Sequence, residues 1–207
     1  MELSNSSEIR RILNKYGFTF SKALGQNFII NPSVCPKMAE LGNAAPGFGV
    51  LEIGPGIGVL TKELALRADR VVAVELDNRL LPVLEETLSE FDNVRIVHGD
   101  ALKIDLRKLI ETEFPGKPVA VCANLPYYIT SPVIMHLLES RLPIQSITVM
   151  VQKEAAARIC ATPGSRDVGA VSLAVRYFSS PKILFGVSRG SFMPAPDVDS
   201  AVIRLDV

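Results

Sequence analysis

The fold is decided by the stretch VLEIGPGIG at residues 50–58, where a short apolar run passes directly into a loop with three glycines. The apolar run predicts a buried strand over 50–53, and the residues after the loop predict a helix over about 60–68. Glycines at such a turn let the backbone approach a ligand closely, and the start of the helix points free N–H groups at it. The stretch therefore indicates a ligand-binding loop at the end of a sheet strand.

Comparable apolar runs recur along the chain and alternate with helical patterns. Predicted strands cover 50–53, 71–74, 94–97, 119–122 and 147–151, and predicted helices cover 33–41, about 60–68, about 77–91 and 153–160. Pro82 either kinks the helix over 77–91 or lies in the first turn of a helix that begins near Leu81. Strands that are apolar throughout and alternate with helices are typical of a parallel sheet covered on both faces.

The end of the chain follows a different pattern, because the apolar runs 182–185 and 201–205 have no predicted helix between them. This spacing predicts a terminal hairpin that adds an antiparallel strand to the sheet. We therefore expect an α/β fold with a doubly wound, mostly parallel, seven-stranded sheet. The expected domain spans residues 1–207. Residues 1–24 are expected to form a basic N-terminal arm that contains a short helix.

Composition excludes several classes of protein. No apolar run reaches the roughly 18 to 20 residues that a membrane span needs, and the polar start of the chain is no secretory signal. Cys35, Cys122 and Cys160 are far apart and odd in number, so we expect buried thiols in a reducing cytosol rather than disulfides. His98 and His136 have no metal-ligand spacing. We expect a cytoplasmic protein without a metal site.

The 22 basic and 22 acidic residues cancel, which by itself argues against a nucleic-acid partner. Their distribution is uneven, however. Residues 50–100 hold ten acidic and five basic groups, whereas residues 141–190 hold seven basic and two acidic groups. Two interpretations stay open at this point: two ordinary solvated surfaces, or a basic face for a polyanion opposite an acidic half for an amine-bearing cofactor.

The glycine loop and the acids near it favour one cofactor over another. An NAD site uses G-x-G-x-x-G around a pyrophosphate, but here the sixth position is Val59. Glu52, just before the loop, suits a cofactor that carries amine and sulfonium charge. Glu75 ends the second strand, where a carboxylate can accept ribose hydroxyls, and Asp100 ends the third, where it can accept an adenine amine. These features predict S-adenosyl-L-methionine as the cofactor, with Asp77 serving as a helix cap.

A second loop, Asn124-Leu125-Pro126-Tyr127, follows the strand expected beside the first one. An adenine amine is a poor nucleophile because its lone pair is delocalised into the ring. If the Asn124 side-chain oxygen and the Leu125 carbonyl accept its hydrogens, the charge developing on nitrogen is stabilised. Pro126 stiffens the loop, and Tyr127 offers a stacking face for an extruded base. The loop predicts an adenine-N6 methyltransferase.

The sequence closely resembles the KsgA/RsmA family of small-subunit ribosomal RNA adenine N6,N6-dimethyltransferases. The blocks that carry the resemblance span nearly the whole chain: 24–28 (LGQNF), 51–58, 74–77 (VELD), 99–102 (GDAL), 124–130 (NLPYYIT), 151–154 (VQKE) and 192–202 (FMPAPDVDSAV). The resemblance implies a Rossmann-like class I methyltransferase that dimethylates two adjacent adenines in the 3′-terminal hairpin loop of small-subunit rRNA. It also implies action as a monomer on a pre-30S particle.

The resemblance implies roles for individual residues as well. The cofactor pocket would be lined by Asn27, Ile29, Gly54, Gly56, Glu75, Asp100, Ala101 and Asn124. Tyr127 and Phe192 would sandwich the target adenine, beside Asn124, Leu125 and Pro126. The family continues into a small helical domain, so we expect this chain, which ends at Val207, to be the catalytic domain alone. Val168 also departs from the family, which commonly has tyrosine there.

Other interpretations are weaker. Residues 186–190 fit the nucleophile elbow G-x-S-x-G, but the prolines at 194 and 196 oppose the helix a hydrolase needs, and the last histidine is His136. The nearest rival is a macrolide-resistance-type large-subunit rRNA adenine methyltransferase, which shares N-x-P-Y. A non-catalytic ribosome-assembly factor on the same fold is a further alternative.

Overall fold

The computed structural model describes residues 3, 5–19 and 25–207. The predicted short helix of the arm is present as α1 (Ser6–Lys15), and the Asn5 side chain caps it by accepting from the Ser7 N–H. Residues 1, 2, 4 and 20–24 of the predicted arm lie outside the described residues. A two-residue strand β1 (Phe28–Ile29) follows, and then α2 (Val34–Leu41) in the predicted position.

The predicted sheet is present with all seven strands. After β1, the strands of the described part of the chain are β2 (Gly49–Ile53), β3 (Arg70–Glu75), β4 (Val94–His98), β5 (Val119–Asn124), β6 (Ser146–Gln152), β7 (Ser180–Val187), β8 (Phe192–Met193) and β9 (Ser200–Asp206). The sheet order is β4-β3-β2-β5-β6-β9-β7. The first five strands are parallel, and β9 runs antiparallel to both neighbours. Outside this sheet, β8 pairs with β1.

The crossover helices cover the two faces of this sheet. They are α3 (Val59–Ala65), α4 (Leu81–Thr87), α5 (Leu106–Glu113), α6 (Thr130–Glu139), α7 (Lys153–Ile159) and α8 (Ala170–Phe178). Of the two alternatives for the helix over about 77–91, the second is confirmed, because the helix begins at Leu81 with Pro82 in its first turn, and it ends at Thr87. Asp77 caps a single 3-10 turn, Asn78–Leu80, and α4 begins after it with Pro82 in its first turn. A proline is tolerated there because a first-turn N–H has no partner within the helix.

Burial follows from the parallel topology. The central strands β2 and β5 are buried on both faces, as strands covered by helices on each side must be. One face packs under α5, α6, α7 and α8, and the other under α2 and α3. Cys35 and Cys122 are buried as predicted, and burial raises the pKa of both thiols. Cys160 is only half-buried, so that prediction is wrong for this residue.

Among the described residues, no helix combines the length and the apolar character that crossing a membrane requires. Within the same residues, no group of three or more histidines, cysteines or carboxylates has a metal-binding arrangement.

Candidate functional site

A cavity of about 300 Å³ lies at the carboxyl edge of the sheet, where β2, β3 and β5 end. Open parallel sheets bind ligands at this edge, and the volume is within the usual range for small-molecule sites. Every site residue predicted from the sequence lines it: Asn27, Ile29, Gly54, Gly56, Glu75, Asp100, Ala101, Asn124, Leu125, Pro126, Tyr127 and Phe192. The fold thus brings all of them together, although they are distributed over 166 positions of the chain.

The glycine loop forms one wall of the cavity. Gly54 and Gly56 both have positive φ, 70° and 62°, which L side chains rarely adopt. A Cβ on Gly56 would lie 3.1 Å from Cε1 of Phe28, whereas one on Gly54 would meet open space. The Gly54 N–H donates to the Val74 carbonyl at 2.9 Å, which ties the loop to β3. The loop backbone is therefore fixed to β3 and leaves free space beside Gly54 for a ligand.

Glu75 is the best-fixed of the strand-end acids. Its Oε1 accepts from the Asp77 N–H at 2.8 Å, and its Oε2 accepts from the Gly56 N–H at 3.2 Å. Burial raises the pKa of this carboxyl, while the two backbone N–H groups oppose the rise. Each oxygen keeps lone-pair capacity, so the carboxylate can accept further bonds from a diol at the cavity wall.

Glu52 lies deeper, with 1% of its surface exposed. Burial raises its pKa to about 8, and the nearby charge of Glu75 adds to the rise. The Thr61 hydroxyl is near enough to lower this pKa, but its placement does not meet hydrogen-bond geometry. Among the described residues, Glu52 Oε2 has no hydrogen-bond partner. This buried carboxyl at the cavity wall suits a cationic ligand, whose charge would favour the ionised form.

Asp100 lies just beyond β4 and is half-exposed. Its Oδ1 accepts from the Leu102 N–H at 3.0 Å, and its Oδ2 lies 3.4 Å from Lys103 Nζ. Two leucines on the same wall were not predicted: Leu76 follows Glu75 directly, and Leu102 lies two residues after Asp100. Both are exposed, and their proximity to strand-end acids is the signal that would have identified them. They offer apolar faces beside the two carboxylates.

Asn124 is the last residue of β5, and its side chain has a defined orientation. Its Nδ2 donates to the Asn27 carbonyl at 3.2 Å. This bond sets the orientation of the amide, and with it the position of Oδ1, which is the acceptor of the side chain. The loop is braced by the 3-10 turn Tyr127–Ile129, whose Ile129 N–H donates to the Pro126 carbonyl at 3.1 Å. This rigidity keeps an acceptor at a set position on the cavity wall.

Two predicted aromatic residues line the other end of the cavity. Tyr127 is half-buried, and its hydroxyl shares a hydrogen bond of 2.7 Å with Ser200 Oγ. Burial raises its pKa. Phe192 is in β8, paired with Ile29 of β1, and is 4% exposed. Tyr128, which was not predicted as a site residue, also lines the cavity and is 58% exposed.

The basic excess of residues 141–190 does not converge on the cavity, since none of its seven cations is among the lining residues. Arg158 is exposed and paired with Glu154. Arg176 donates to the carbonyls of Cys160 and Ala161. Arg166 is exposed. The two interpretations of this region, a solvated surface or a polyanion face, both stay open.

Comparison with known proteins adds the deciding observation. A family model described as ribosomal RNA adenine dimethylase matches residues 17–207. The chain belongs to the ribosomal RNA adenine dimethylase family. The family resemblance inferred from the sequence is thereby confirmed. The protein is an S-adenosylmethionine-dependent methyltransferase, and the observed glycine loop and carboxylates fit that cofactor.

Curated relatives of this dimethylase share half of its sequence. A protein of Alkaliphilus oremlandii is 50% identical over 205 residues, covering 99% of this chain and 71% of the relative. One of Geobacillus kaustophilus is 49% identical over 205 residues, covering 99% and 70%. Both are named ribosomal RNA small subunit methyltransferase A. The chain thus spans about 70% of the length of these relatives.

Solved structures agree with the fold. A dimethyladenosine transferase from Plasmodium falciparum superposes with a TM-score of 0.74 at 30% identity, covering 86% of this chain and 62% of that one. The 23S rRNA methyltransferase ErmE gives a TM-score of 0.73 at 34% identity, covering 86% and 69%. The fibrillarin of Aeropyrum pernix, solved with bound S-adenosyl-L-methionine, is 14% identical with a TM-score of 0.55 and supports the fold alone.

Proposed function

We propose that this dimethylase methylates N6 of two adjacent adenines in the 3′-terminal hairpin loop of small-subunit rRNA, during assembly of the small subunit. The observation that carries the proposal is the shared cavity, which holds the strand-end acids Glu75 and Asp100 and the loop that begins at Asn124. The names of the half-identical relatives support the small subunit as substrate.

The cofactor half of the cavity is formed by the glycine loop and the strand-end acids. Glu75 would accept the ribose hydroxyls, and Asp100 would accept the adenine amine, with Ala101 beside it. Asn27 and Ile29 of the N-terminal segment close the same wall, and Gly54 and Gly56 let the backbone approach the ligand. When bound, S-adenosylmethionine supplies an electrophilic methyl group.

The catalytic half is formed by the loop after β5. Asn124 Oδ1 and the Leu125 carbonyl would accept the two hydrogens of the adenine amine, which localises the lone pair on nitrogen. These acceptors gain strength as positive charge develops on that nitrogen, so they stabilise the transition state more than the ground state. The amine proton then leaves to solvent. Because the Asn27 carbonyl holds the amide nitrogen of Asn124, no reorientation is needed during the reaction.

The target base must leave its stack to reach this position, which costs a few kcal/mol for an unpaired loop nucleotide. Tyr127 and Phe192 would recover part of that cost by stacking on the two faces of the adenine. A loop adenine is easier to extrude than a paired one, which agrees with a hairpin-loop substrate.

A second candidate substrate is large-subunit rRNA, because ErmE shares the fold at 34% identity. The test is methyl transfer from labelled S-adenosylmethionine to under-methylated small subunits and, separately, to large subunits, with the modified adenines mapped. Label on two adjacent adenines of the small subunit supports the proposal. Label on the large subunit only would favour the second candidate, and no label on either would support a non-catalytic assembly factor.

We further propose that the protein acts as a monomer on a pre-30S particle in the cytoplasm. The support for a small-subunit partner is the name of the half-identical relatives, ribosomal RNA small subunit methyltransferase A. Sedimentation of the protein alone and with purified particles tests both statements. A stable dimer, or no co-sedimentation with any assembly intermediate, would contradict them.

A further inference from the structure

Ser200 begins the strand that turns the parallel sheet into a mixed one. It is fully buried, with 0% of its surface exposed. Its backbone lies between two strands, opposite Gln152 of β6 on one side and Val187 of β7 on the other. A serine is rarely placed so deep without a partner for its hydroxyl, since an unmet buried polar group is costly.

The partner of this hydroxyl is Tyr127, at 2.7 Å. Ser200 is not among the residues that line the cavity, whereas Tyr127 is. The hydrogen bond thus reaches the tip of the Tyr127 ring from outside the cavity. A phenol ring held at its hydroxyl as well as at its Cβ cannot swing about the Cα–Cβ bond without breaking this hydrogen bond.

The residue before Ser200 is fixed in the same way. The Asp199 carbonyl accepts from the Lys153 N–H at 2.9 Å, and Asp199 Oδ1 accepts from the Arg189 N–H at 2.9 Å. These bonds and the β-pairing of Ser200 fix the backbone from which its hydroxyl extends. The 3-10 turn fixes the backbone of Tyr127, and the bond to Ser200 holds the far end of its side chain.

We propose that Ser200 is a positioning residue, which holds the Tyr127 ring in the place needed to stack on the target adenine. The inference rests on the proposed function, because it takes Tyr127 as a wall of the base site. It also gives the end of the chain a role. Phe192 precedes Ser200 by eight positions, so the segment that contributes Phe192 to the base site also positions Tyr127 through Ser200.

The test is a double-mutant cycle with Ser200→Ala and Tyr127→Phe, which remove the same hydrogen bond from its two ends. Single-turnover methyl transfer is measured against small-subunit concentration at saturating cofactor. Each single change is expected to lower the apparent second-order rate constant, which is the transfer rate divided by the small-subunit concentration. The expected loss is about 3- to 10-fold, as for one hydrogen bond. The double variant is expected to show no further loss. Ser200→Thr, which keeps a hydroxyl, is expected to recover most of the rate.

The matched control is Ser146→Ala. Ser146 is also fully buried in the sheet and accepts from Asn43 Nδ2 at 3.0 Å, at the opposite end of β6. It is expected to leave methyl transfer unchanged. Cofactor affinity by calorimetry is expected to be the same in all folded variants.

Wild-type rates in Ser200→Ala, or fully additive losses in the double variant, would overturn the inference. If Ser200→Ala does not fold, Tyr127→Phe still decides, because an unchanged rate there shows that the hydroxyl anchor has no effect on the base. A failure of the proposed function is distinct, since the wild-type protein itself would then transfer no methyl to small subunits.

Discussion

Replacing Glu52 with glutamine is expected to change the pH dependence of folding stability. A carboxyl with a pKa of 4.5 in the unfolded chain has one of about 8 in the native protein, because burial disfavours its charged form. Between these two values the unfolded chain has released the proton and the native protein keeps it. Stability must therefore fall as pH rises through this window and level off above about pH 8.

The size of the effect follows from the difference between the unfolded and native pKa values of Glu52, which is about 3.5 pH units. At about 1.4 kcal/mol per pH unit, Glu52 lowers the free energy of unfolding by at most about 5 kcal/mol at pH 9 relative to pH 4. Glutamine has nearly the same shape and no charge at any pH. Glu52→Gln removes this slope, although its amide leaves a constant cost of about 1 to 3 kcal/mol if it finds no partner.

The assay is urea unfolding of the cofactor-free protein at pH 5, 6, 7, 8 and 9, with the wild type and the variant compared at each pH. In the difference between their free energies of unfolding, the contributions of the other carboxyls cancel. From pH 5 to pH 9 we expect the variant to gain several kcal/mol of stability relative to the wild type. Glu111→Gln, a change at an exposed glutamate of α5, is the control and is expected to keep the wild-type slope. Parallel curves for wild type and Glu52→Gln would refute the assignment of a protonated buried carboxyl.

Four further predictions concern the site and the RNA. Glu75→Ala is expected to weaken S-adenosylmethionine binding by about 1.5 to 3 kcal/mol, as for a lost hydrogen bond to a charged group, and unchanged affinity by calorimetry in a folded variant would contradict this. Replacing Arg158 or Arg166 by alanine is expected to lower RNA affinity for all sequences and to make its salt dependence shallower by up to about one unit of slope; an unchanged slope would mark ordinary surface charges. Asn124→Ala is expected to cost about 100- to 1000-fold in turnover at saturating substrates. Phe192→Ala is expected to weaken productive RNA binding by about 1 to 3 kcal/mol while cofactor affinity is kept. Near-normal single-turnover rates in the Asn124 variant would remove the catalytic assignment of its loop.

The sheet was predictable because its strands are short, apolar throughout and separated by clear loops. Three crossover helices were not predicted, for different reasons. In α5 the signal is present: Asp105 caps it, and Leu106 and Ile110 are four positions apart on its buried side. In α6 the residues are apolar nearly all round and include a proline in the first turn, so the helical period is weak. In α8 exposed apolar residues such as Leu173 and Tyr177 obscure the buried face.

The residues that the N-terminal segment and β8 add to the cavity were expected only from the family resemblance. The place of the strand-end acids was predictable from the residues themselves, because parallel strands end at one edge and bring Glu75 and Asp100 together. The orientation of the side chains was not. The Asn124 amide donates to the carbonyl of a residue 97 positions away, and the Tyr127 hydroxyl is hydrogen-bonded to the hydroxyl of a serine 73 positions away. Contacts at such separations leave no local periodicity or spacing in the sequence, and only the folded chain creates them.

The pairing of β1 with β8 joins two parts of the cavity wall that are far apart in the sequence. Phe28 lies opposite Met193 and Ile29 opposite Phe192, so a residue of the proposed cofactor wall and a residue of the proposed base wall share one backbone ladder. Each strand is two residues long, too short to show any alternation in the sequence. The same N-terminal segment carries the Asn27 carbonyl that orients Asn124. In the proposed function, one segment therefore contributes to the cofactor wall, orients the acceptor and pairs with the strand of the aromatic wall.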